Sequence, residues 1–479
     1  MLNLIDALEF RARSQPNVIA LQDVDSSLNY AQLYLLVKKI AKKISSIGVK
    51  PGQLAFTYLP PKVDWIFTLA LFHETCITCS HDGISPVDET LEVDWLISIK
   101  PIPTFPPDRT ILIDDDWLAQ AQTQTTENNY LSYESQDSVC RLIMTSGTTG
   151  HAKAAPYTMG VLLRRLDSLH GSWPSGQDEI CMMSLQTTGG LVSAAGAVRY
   201  GRTYYCASNA KDFTQLLIKS RSGSLYGSPM QLASLANYCK SNEVKLPCLK
   251  EIRTAGGMIS EALLASLKSQ FDVVIFNLYG STEAGAICVN SIKRKNNIER
   301  LAGFVVLDAK VELVDDSNEP LEIGQEGIVR VKTSSMVSEY YKNSKASHHS
   351  FRGGWFYPGD RGVLTEKGAL ILSGRESELI NRGGVKFDPA VIDEYLLCYP
   401  GIRDAAAFAR DTESGIPDVA AAIVTVDGFD LNALKQKLIE QFGNIKSPSV
   451  FFSVKEIPRN QMGKVNRKML NERASAAVT

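Results

Sequence analysis

The chain has 479 residues, 44% of them apolar and 21% charged, with 50 Lys+Arg against 52 Asp+Glu for a formal net charge of -2. These values exclude a disordered or collagen-like chain, and they exclude the one-signed basic field that wraps nucleic acid. The length admits about three folding units, or one large domain and a smaller one.

The first residues, Met1 to Phe10, place Asp6 and Glu9 where a signal peptide would carry basic charge; they read as an amphipathic helix with Leu4, Ile5 and Leu8 on one face. Helical spacing recurs over Tyr30 to Ile44, a strand follows from Leu54 to Leu59, and Val63 to Glu74 is helical again. Its apolar run, Trp65 to Phe72, falls far short of the ~20 residues of a membrane span. Ser80 to Pro107 is irregular and rich in proline, Thr110 to Ile113 resumes a strand, and Gln120 to Gln136 reads as an exposed polar connector. From 139 to about 300, short strands (Arg141 to Met144, Glu179 to Met183, Ser224 to Tyr226, Glu251 to Thr254, Val273 to Asn277) alternate with helices (Gly160 to His170, Met230 to Ser241, Ser260 to Gln270), the pattern of a parallel α/β sheet. From 301 to 373 short strands separated by Gly turns predict a β-rich subdomain, and the remainder reads as a small α+β unit. Nine scattered cysteines, an odd number, fit reduced thiols and a cytoplasmic protein better than a disulfide framework.

The strongest chemical signal is Thr145-Ser146-Gly147-Thr148-Thr149-Gly150-His151-Ala152-Lys153, directly after an apolar strand. Glycines allow a tight turn with inward N–H groups, and four hydroxyls and a lysine add donors, so the loop suits a polyphosphate. It lacks the Gly-Lys-Ser/Thr ending of a Walker A loop. With Asn277-Leu278-Tyr279-Gly280-Ser281-Thr282-Glu283, Gly354 to Asp360, Gly374-Arg375-Glu376-Ser377-Glu378 and Ile457 to Lys464 following in order, the chain resembles the adenylate-forming superfamily of acyl-CoA synthetases, adenylation domains of peptide synthetases, and luciferases.

That resemblance implies a fold: α/β, a large N-terminal domain of parallel α/β sheets with a β-rich subdomain (1–374), a hinge (375–378) and a small mobile α+β C-terminal domain (379–479). It implies ATP and Mg²⁺, with Lys464 neutralising charge where a carboxylate meets the α-phosphate, Thr282 on that phosphate and Glu283 on the metal. Thr145 to Gly150 and Lys153 would hold the phosphates, Asn277 and Gly280 belong to the nucleotide motif, Tyr279, Gly256 and Gly257 would meet the base, Asp360 the ribose, and Arg375 the ribose or a phosphate. Ser377 stands where the family carries an Asp or Lys hinge, and Gly384 and Lys386, within Arg382 to Lys386, stand at the thiolation channel.

For the acid, Ser184-Leu185-Gln186-Thr187-Thr188-Gly189-Gly190 occupies the place of the family's specificity residues and holds no carboxylate. A buried ammonium there would lack a counter-charge, which disfavours an α-amino acid. Gln186, Thr187 and Thr188, with Gly189 and Gly280 beside them, suit a hydrogen-bonding aryl acid, although the hydroxyls also fit ordinary turn roles. The acceptor expected is a phosphopantetheine thiol, of a carrier protein in preference to free CoA; an amide-forming ligase and a non-catalytic adenylate-binding regulator are the alternatives. Three features read as bystanders: Cys76 and Cys79 with His73 and His81, taken as the end of an apolar helix and not a zinc site; His348-His349, taken as a solvated loop; and Lys293-Arg294-Lys295, taken as an exposed basic loop.

Overall fold

The computed structural model describes the chain except for residues 1–2, 82–90, 104, 127–132, 134, 146–152, 173–178, 258, 293–299, 376–377, 383–384, 411–417, 460–462 and 477–479. Ser146, Gly147, Thr148, Thr149 and Gly150 of the expected phosphate loop, the expected hinge residue Ser377, Gly384, the side chain of Lys386 and the run Lys293 to Lys295 lie outside the described residues.

Local rules place the first elements. Asn3 caps helix Leu4–Ser14 by a reciprocal box with Asp6, at 2.8 and 2.7 Å, and the helix buries Leu4, Ile5 and Leu8. Helix Pro61–His73 is apolar on every side and is buried along nearly all of its length. It packs against a six-stranded sheet ordered Thr110–Leu112, Trp95–Ser98, Leu54–Tyr58, Ile77–Ser80, Val139–Thr145 and Lys153–Thr158, parallel except at its last pair.

A second, twelve-stranded sheet carries four parallel strands side by side, Glu179–Cys181, Ser224–Gly227, Glu251–Ala255 and Val274–Ser281, before continuing as an antiparallel array through Ala369–Arg375 and Glu326–Thr333. Beyond Ile380 the chain builds a three-stranded sheet (Ile402–Arg410, Asp418–Thr425, Val450–Ser453) with its own apolar cores, one around Ala405, Ala407 and Leu434 and one around Ala406, Phe408 and Leu470. The fold is therefore α/β with mixed sheets, a β-rich part, and a small α+β part at the end.

Several expectations needed correction. Cys76 to Cys79 does not end a helix: Thr75 takes a φ of 54° and the chain turns into strand Ile77–Ser80. The stretch read as irregular contains strand Trp95–Ser98, and the polar connector begins inside helix Asp115–Gln122. Strand Lys153–Thr158 was hidden by Pro156, which an edge strand tolerates. Helix Thr188–Tyr200 was hidden by Gly189, Gly190 and Gly196. A Cβ on Gly190 would stand 2.0 Å from the Ser184 carbonyl oxygen, so close packing overrides helix propensity there. His348 and His349 sit on helix Ser344–Ser350, not in a loop. All nine cysteines are free thiols, and among the described residues no group of three or more His, Cys, Asp or Glu could hold a metal and no helix is long and apolar enough to cross a membrane.

Candidate active site

A cavity of about 470 Å³ opens where the carboxyl ends of the parallel strands meet the β-rich array and the C-terminal unit. Ligands bind at this end of parallel sheets because the loops and helix N-termini converge there. Its wall gathers Thr145, Lys153, Gln186, Thr187, Thr188, Gly189, Gly256, Tyr279, Gly280, Thr282, Glu283, Asp360, Arg375 and Lys464. Two expected residues are not on that wall. Gly257 lies beyond the turn at Gly256, whose φ is 87°. Asn277 lies further back along its strand than Tyr279, and its Oδ1 is buried with no hydrogen-bond partner among the described residues.

Strand pairing fixes one cluster. Asp360 and Arg375 are register partners on adjacent strands, and the Arg375 Nε donates to Asp360 Oδ1 at 3.1 Å. The Tyr279 hydroxyl donates to the other oxygen, Oδ2. Burial, and then the Asp360 charge, push the Tyr279 phenol well above its usual range, so it stays a donor. Each Asp360 oxygen keeps a lone pair for an incoming hydroxyl.

Lys464 reaches the same wall from the C-terminal unit. It is accessible to water within the cavity, yet protein surrounds it closely enough that desolvation, and next the nearby Arg375, push its pKa down from the usual 10.5; Asp360, Glu378 and Glu283 oppose the shift. Gly463 before it has a φ of 79° and abuts the side chain of Met230, the conformation and the space that glycine supplies.

Thr282 and Glu283 follow directly on strand Val274–Ser281. What holds them in place has no signal in the linear chain. Arg165, almost fully buried, donates through Nη2 to the Glu283 carbonyl at 2.8 Å and through Nε to the Ser335 carbonyl at 3.1 Å. Its Nη1 bonds to the hydroxyl of Tyr157, also fully buried. That hydroxyl lies 2.7 Å from the Thr282 carbonyl and 2.6 Å from Thr188 Oγ1. A carbonyl can only accept, so Tyr157 donates to Thr282 and accepts from Thr188 and Arg165. The Tyr340 hydroxyl donates to Glu283 Oε1 at 2.7 Å, and Lys153 Nζ stands 4.9 Å from the centre of the Tyr340 ring. No local motif marks Tyr157, Arg165 or Tyr340, because their bonds to Thr188, Thr282, Glu283 and Ser335 cross 31 to 170 residues of chain.

The side of the cavity expected to take the acid starts at the turn Ser184 to Thr187. Thr187 caps helix Thr188–Tyr200: its Oγ1 accepts from the Gly190 N–H at 3.1 Å and donates to the Ser184 carbonyl at 2.9 Å. One lone pair remains for a ligand, so the hydrogen-bonding expected of Thr187 is largely spent on the helix. Buried Arg141 ties the turn to the six-stranded sheet by donating to the Leu185 carbonyl at 2.6 Å and to Ser80 Oγ at 2.6 Å. A Cβ on Gly189 would meet Met183 Sδ at 2.4 Å, and one on Gly280 the Gly285 carbonyl oxygen at 2.3 Å; both glycines keep the wall open. His349, expected to be solvated, lines the cavity instead.

A magnesium ion fits this wall only in one way. No all-protein cage is available among the described residues, but Mg²⁺ commonly takes one carboxylate and several phosphate oxygens. Glu283 is such a carboxylate: Oε1 is held by Tyr340, while Oε2 takes no hydrogen bond among the described residues.

A family model described as AMP-binding enzyme matches residues 76–341. The 2-succinylbenzoate–CoA ligase of Bacillus subtilis (strain 168) is 23% identical over 480 residues, covering 96% of this chain and 96% of that protein. An oxalate–CoA ligase of Arabidopsis thaliana is 21% identical over 496 residues, covering 93% of each chain. The structure of o-succinylbenzoate CoA synthetase from Bacillus subtilis with its acyl-adenylate intermediate matches with a TM-score of 0.84 at 23% identity, covering 97% of both chains.

Proposed function

The chain belongs to the AMP-binding enzyme family and activates a carboxylic acid with ATP to an acyl-AMP; we propose that the acid is an aryl acid and that the acyl group then passes to the thiol of coenzyme A. The observation that carries the reading is one shared cavity, in which Lys464, Thr282 and Glu283 line a wall with Tyr279 and Asp360 on one side and helix Thr188–Tyr200 on the other.

In the first half-reaction a carboxylate attacks the α-phosphate and pyrophosphate leaves. Two anions must meet, so catalysis here is charge compensation in a fixed geometry. Lys464 supplies a cation at the meeting point; at ~4 Å and an effective dielectric of ~20, one such charge contributes about 4 kcal/mol. The N-terminus of helix Thr188–Tyr200 adds a positive dipole end on the acid side. Asp360 accepts from the ribose hydroxyls, held in place by Tyr279 and Arg375. Thr282 orients the α-phosphate, and Thr145 and Lys153 flank the leaving phosphates. Glu283, steadied by Tyr340, would hold a magnesium ion brought with the nucleotide, which would supply positive charge to screen the phosphates. The part beyond the hinge at 375–378 then turns to admit the thiol, with 1–374 as the fixed body.

Two observations support coenzyme A over a carrier protein. The relatives that match along nearly their whole length are CoA ligases by name. In the Arg382 to Lys386 stretch, expected at the thiolation channel, the arginine is engaged at home and not free to meet a carrier: Arg382 donates to the Asn444 and Ile445 carbonyls at 3.3 Å and pairs with Asp418 at 3.1 Å. The aryl preference draws on the absence of a carboxylate at Gln186 to Thr188 and on the benzoate named in the Bacillus relative. The test is to supply ATP, magnesium and a panel of aryl, alkyl and α-amino acids, with CoA or a phosphopantetheinylated carrier protein at equal thiol concentration. Faster formation of an aryl-CoA is expected; faster acylation of the carrier, or dependence on an α-amino acid, would overturn the reading.

A further inference from the structure

The acid end of the cavity is long. Thr188, Val192, Gly196 and Tyr200, spaced four apart on one face of their helix, all line it, as do Gly189, Ser193 and Ala197 on the adjoining ridge. At 1.5 Å per residue the first ridge runs about 18 Å away from the reaction centre. The opposite wall is strand Glu251–Ala255, where Arg253 and Ala255 face the same side and Arg253 lies about 7 Å deeper. Small residues, Gly189, Gly196 and Ala197, keep this channel open.

Its far end is charged. Arg253 pairs with Glu179 at 2.8 Å and with Glu251 at 2.5 Å, and Glu179 also accepts from Ser193 at 3.3 Å. That cation is matched by two carboxylates, and Glu179 is already engaged. Arg202 is different: it lines the cavity, makes no ion pair with any described residue, and lies with its guanidinium 5.6 Å from the centre of the Tyr200 ring. Its charge reaches the Glu179 carboxylate, but more weakly than that of Arg253 does. Its backbone is fixed on both sides. Gly201, with a φ of 70°, ends the helix where a Cβ would stand 2.4 Å from Gln15 Oε1, and the buried Tyr30 hydroxyl bonds to the carbonyls of Ala197 and Arg202 at 2.8 and 2.7 Å. A guanidinium carried on a fixed stretch of backbone, lying over a tyrosine ring at the end of a ligand channel, is a receiver for a planar anion.

We propose that the acid this enzyme activates carries a second anionic group, a carboxylate, and that Arg202 receives it against the face of Tyr200. This rests on the acid-activating reading of the same cavity and adds the substrate's other end. The two carboxyl groups would stand roughly 10 Å apart, the length of the helix ridge less the reach of an arginine side chain. A methyl-ended acid would strip water from Arg202 and Glu179 and return no hydrogen bond. An ammonium-ended one would find Glu179 already paired and Arg202 repelling it.

The test is ATP–pyrophosphate exchange with benzoates bearing a short chain that ends in carboxylate, primary amide, ammonium or methyl, in wild type, R202M and R202K. In wild type the carboxylate-ended acid should exceed the amide in kcat/KM by about tenfold or more. R202M should lower that ratio by about 10- to 100-fold, and R202K should retain part of it. A preference for the ammonium or methyl end, or a ratio unchanged in R202M, would overturn this inference and leave the ligase reading standing. Exchange with none of the acids would overturn both.

Discussion

The ends of the cavity that we assign to the nucleotide and to the acid are built on different plans. At the nucleotide end the groups come in short contiguous runs, Tyr279 to Glu283, then Tyr357 to Asp360, then Arg375 across the strand pair, with Lys464 added from the C-terminal unit. At the acid end they come singly, from one helix face, from Glu179 and Arg253 on strands set apart in the chain, and from Arg202 beyond the helix. The first plan suits recognition of a ligand common to many enzymes, through backbone turns and strand ends. The second shapes a channel whose chemistry changes with single side chains. Tyr157 is the joint between them, bonded at once to Thr282 and Thr188.

The largest effect should come from the charge at the meeting point. Lys464→Ala should slow acyl-AMP formation by ~10²–10³-fold, as loss of one preorganised transition-state donor does. Thioester formation from supplied acyl-AMP should suffer much less; equal loss in both half-reactions would contradict a lysine that serves adenylation alone. Breaking the acid end should leave the other end working. A Cβ on Gly196 would meet nothing closer beyond the helix than the Leu166 side chain at 3.8 Å, so the helix accepts a larger residue while the channel does not. Gly196→Leu should raise the KM for a ring-bearing acid by about tenfold or more and move the KM for ATP by less than about twofold; parallel rises in both would mean the two ends are not separable.

The joint should affect both ends together. Tyr157→Phe leaves the Thr282 carbonyl without its donor and Arg165 and Thr188 without their acceptor. A buried group so stranded costs about 1–3 kcal/mol, which predicts roughly tenfold lower kcat/KM for acid and nucleotide alike. A change confined to one substrate would break the link. The smallest effect is a displacement in pH. Because burial and Arg375 lower the Lys464 pKa, the ammonium is lost at a lower pH than for an ordinary lysine. The alkaline limb of kcat/KM for adenylation should therefore fall below 10.5, and Lys464→Arg should remove that limb even if it lowers the rate. A limb that persists in the arginine variant belongs to another group.

The difference between the two plans also explains what could be read from the sequence. Motifs such as Tyr279 to Glu283 are legible because the residues that act together are adjacent, and strands such as Val139–Thr145 are legible because the apolar run is short and bounded. Helix Thr188–Tyr200 was illegible for a physical reason: its glycines, poor helix formers, are required by contacts with Ser184 and Met183 that only the folded chain reveals. Arg202 and Arg253 look like any surface arginine in a linear text. Asn277 shows the converse, a motif residue that lies too far back along its strand to line the cavity that Tyr279, two residues on, does line.

That one cavity joins an aryl acid to AMP is our proposal, and its most direct measurement is aryl-acid-dependent ATP–pyrophosphate exchange without CoA, in wild type and Lys464→Ala. Exchange that requires the aryl acid and falls at least ~10²-fold in the variant is the predicted result. Exchange supported by α-amino acids in place of aryl acids, or undiminished when Lys464 is removed, would contradict it.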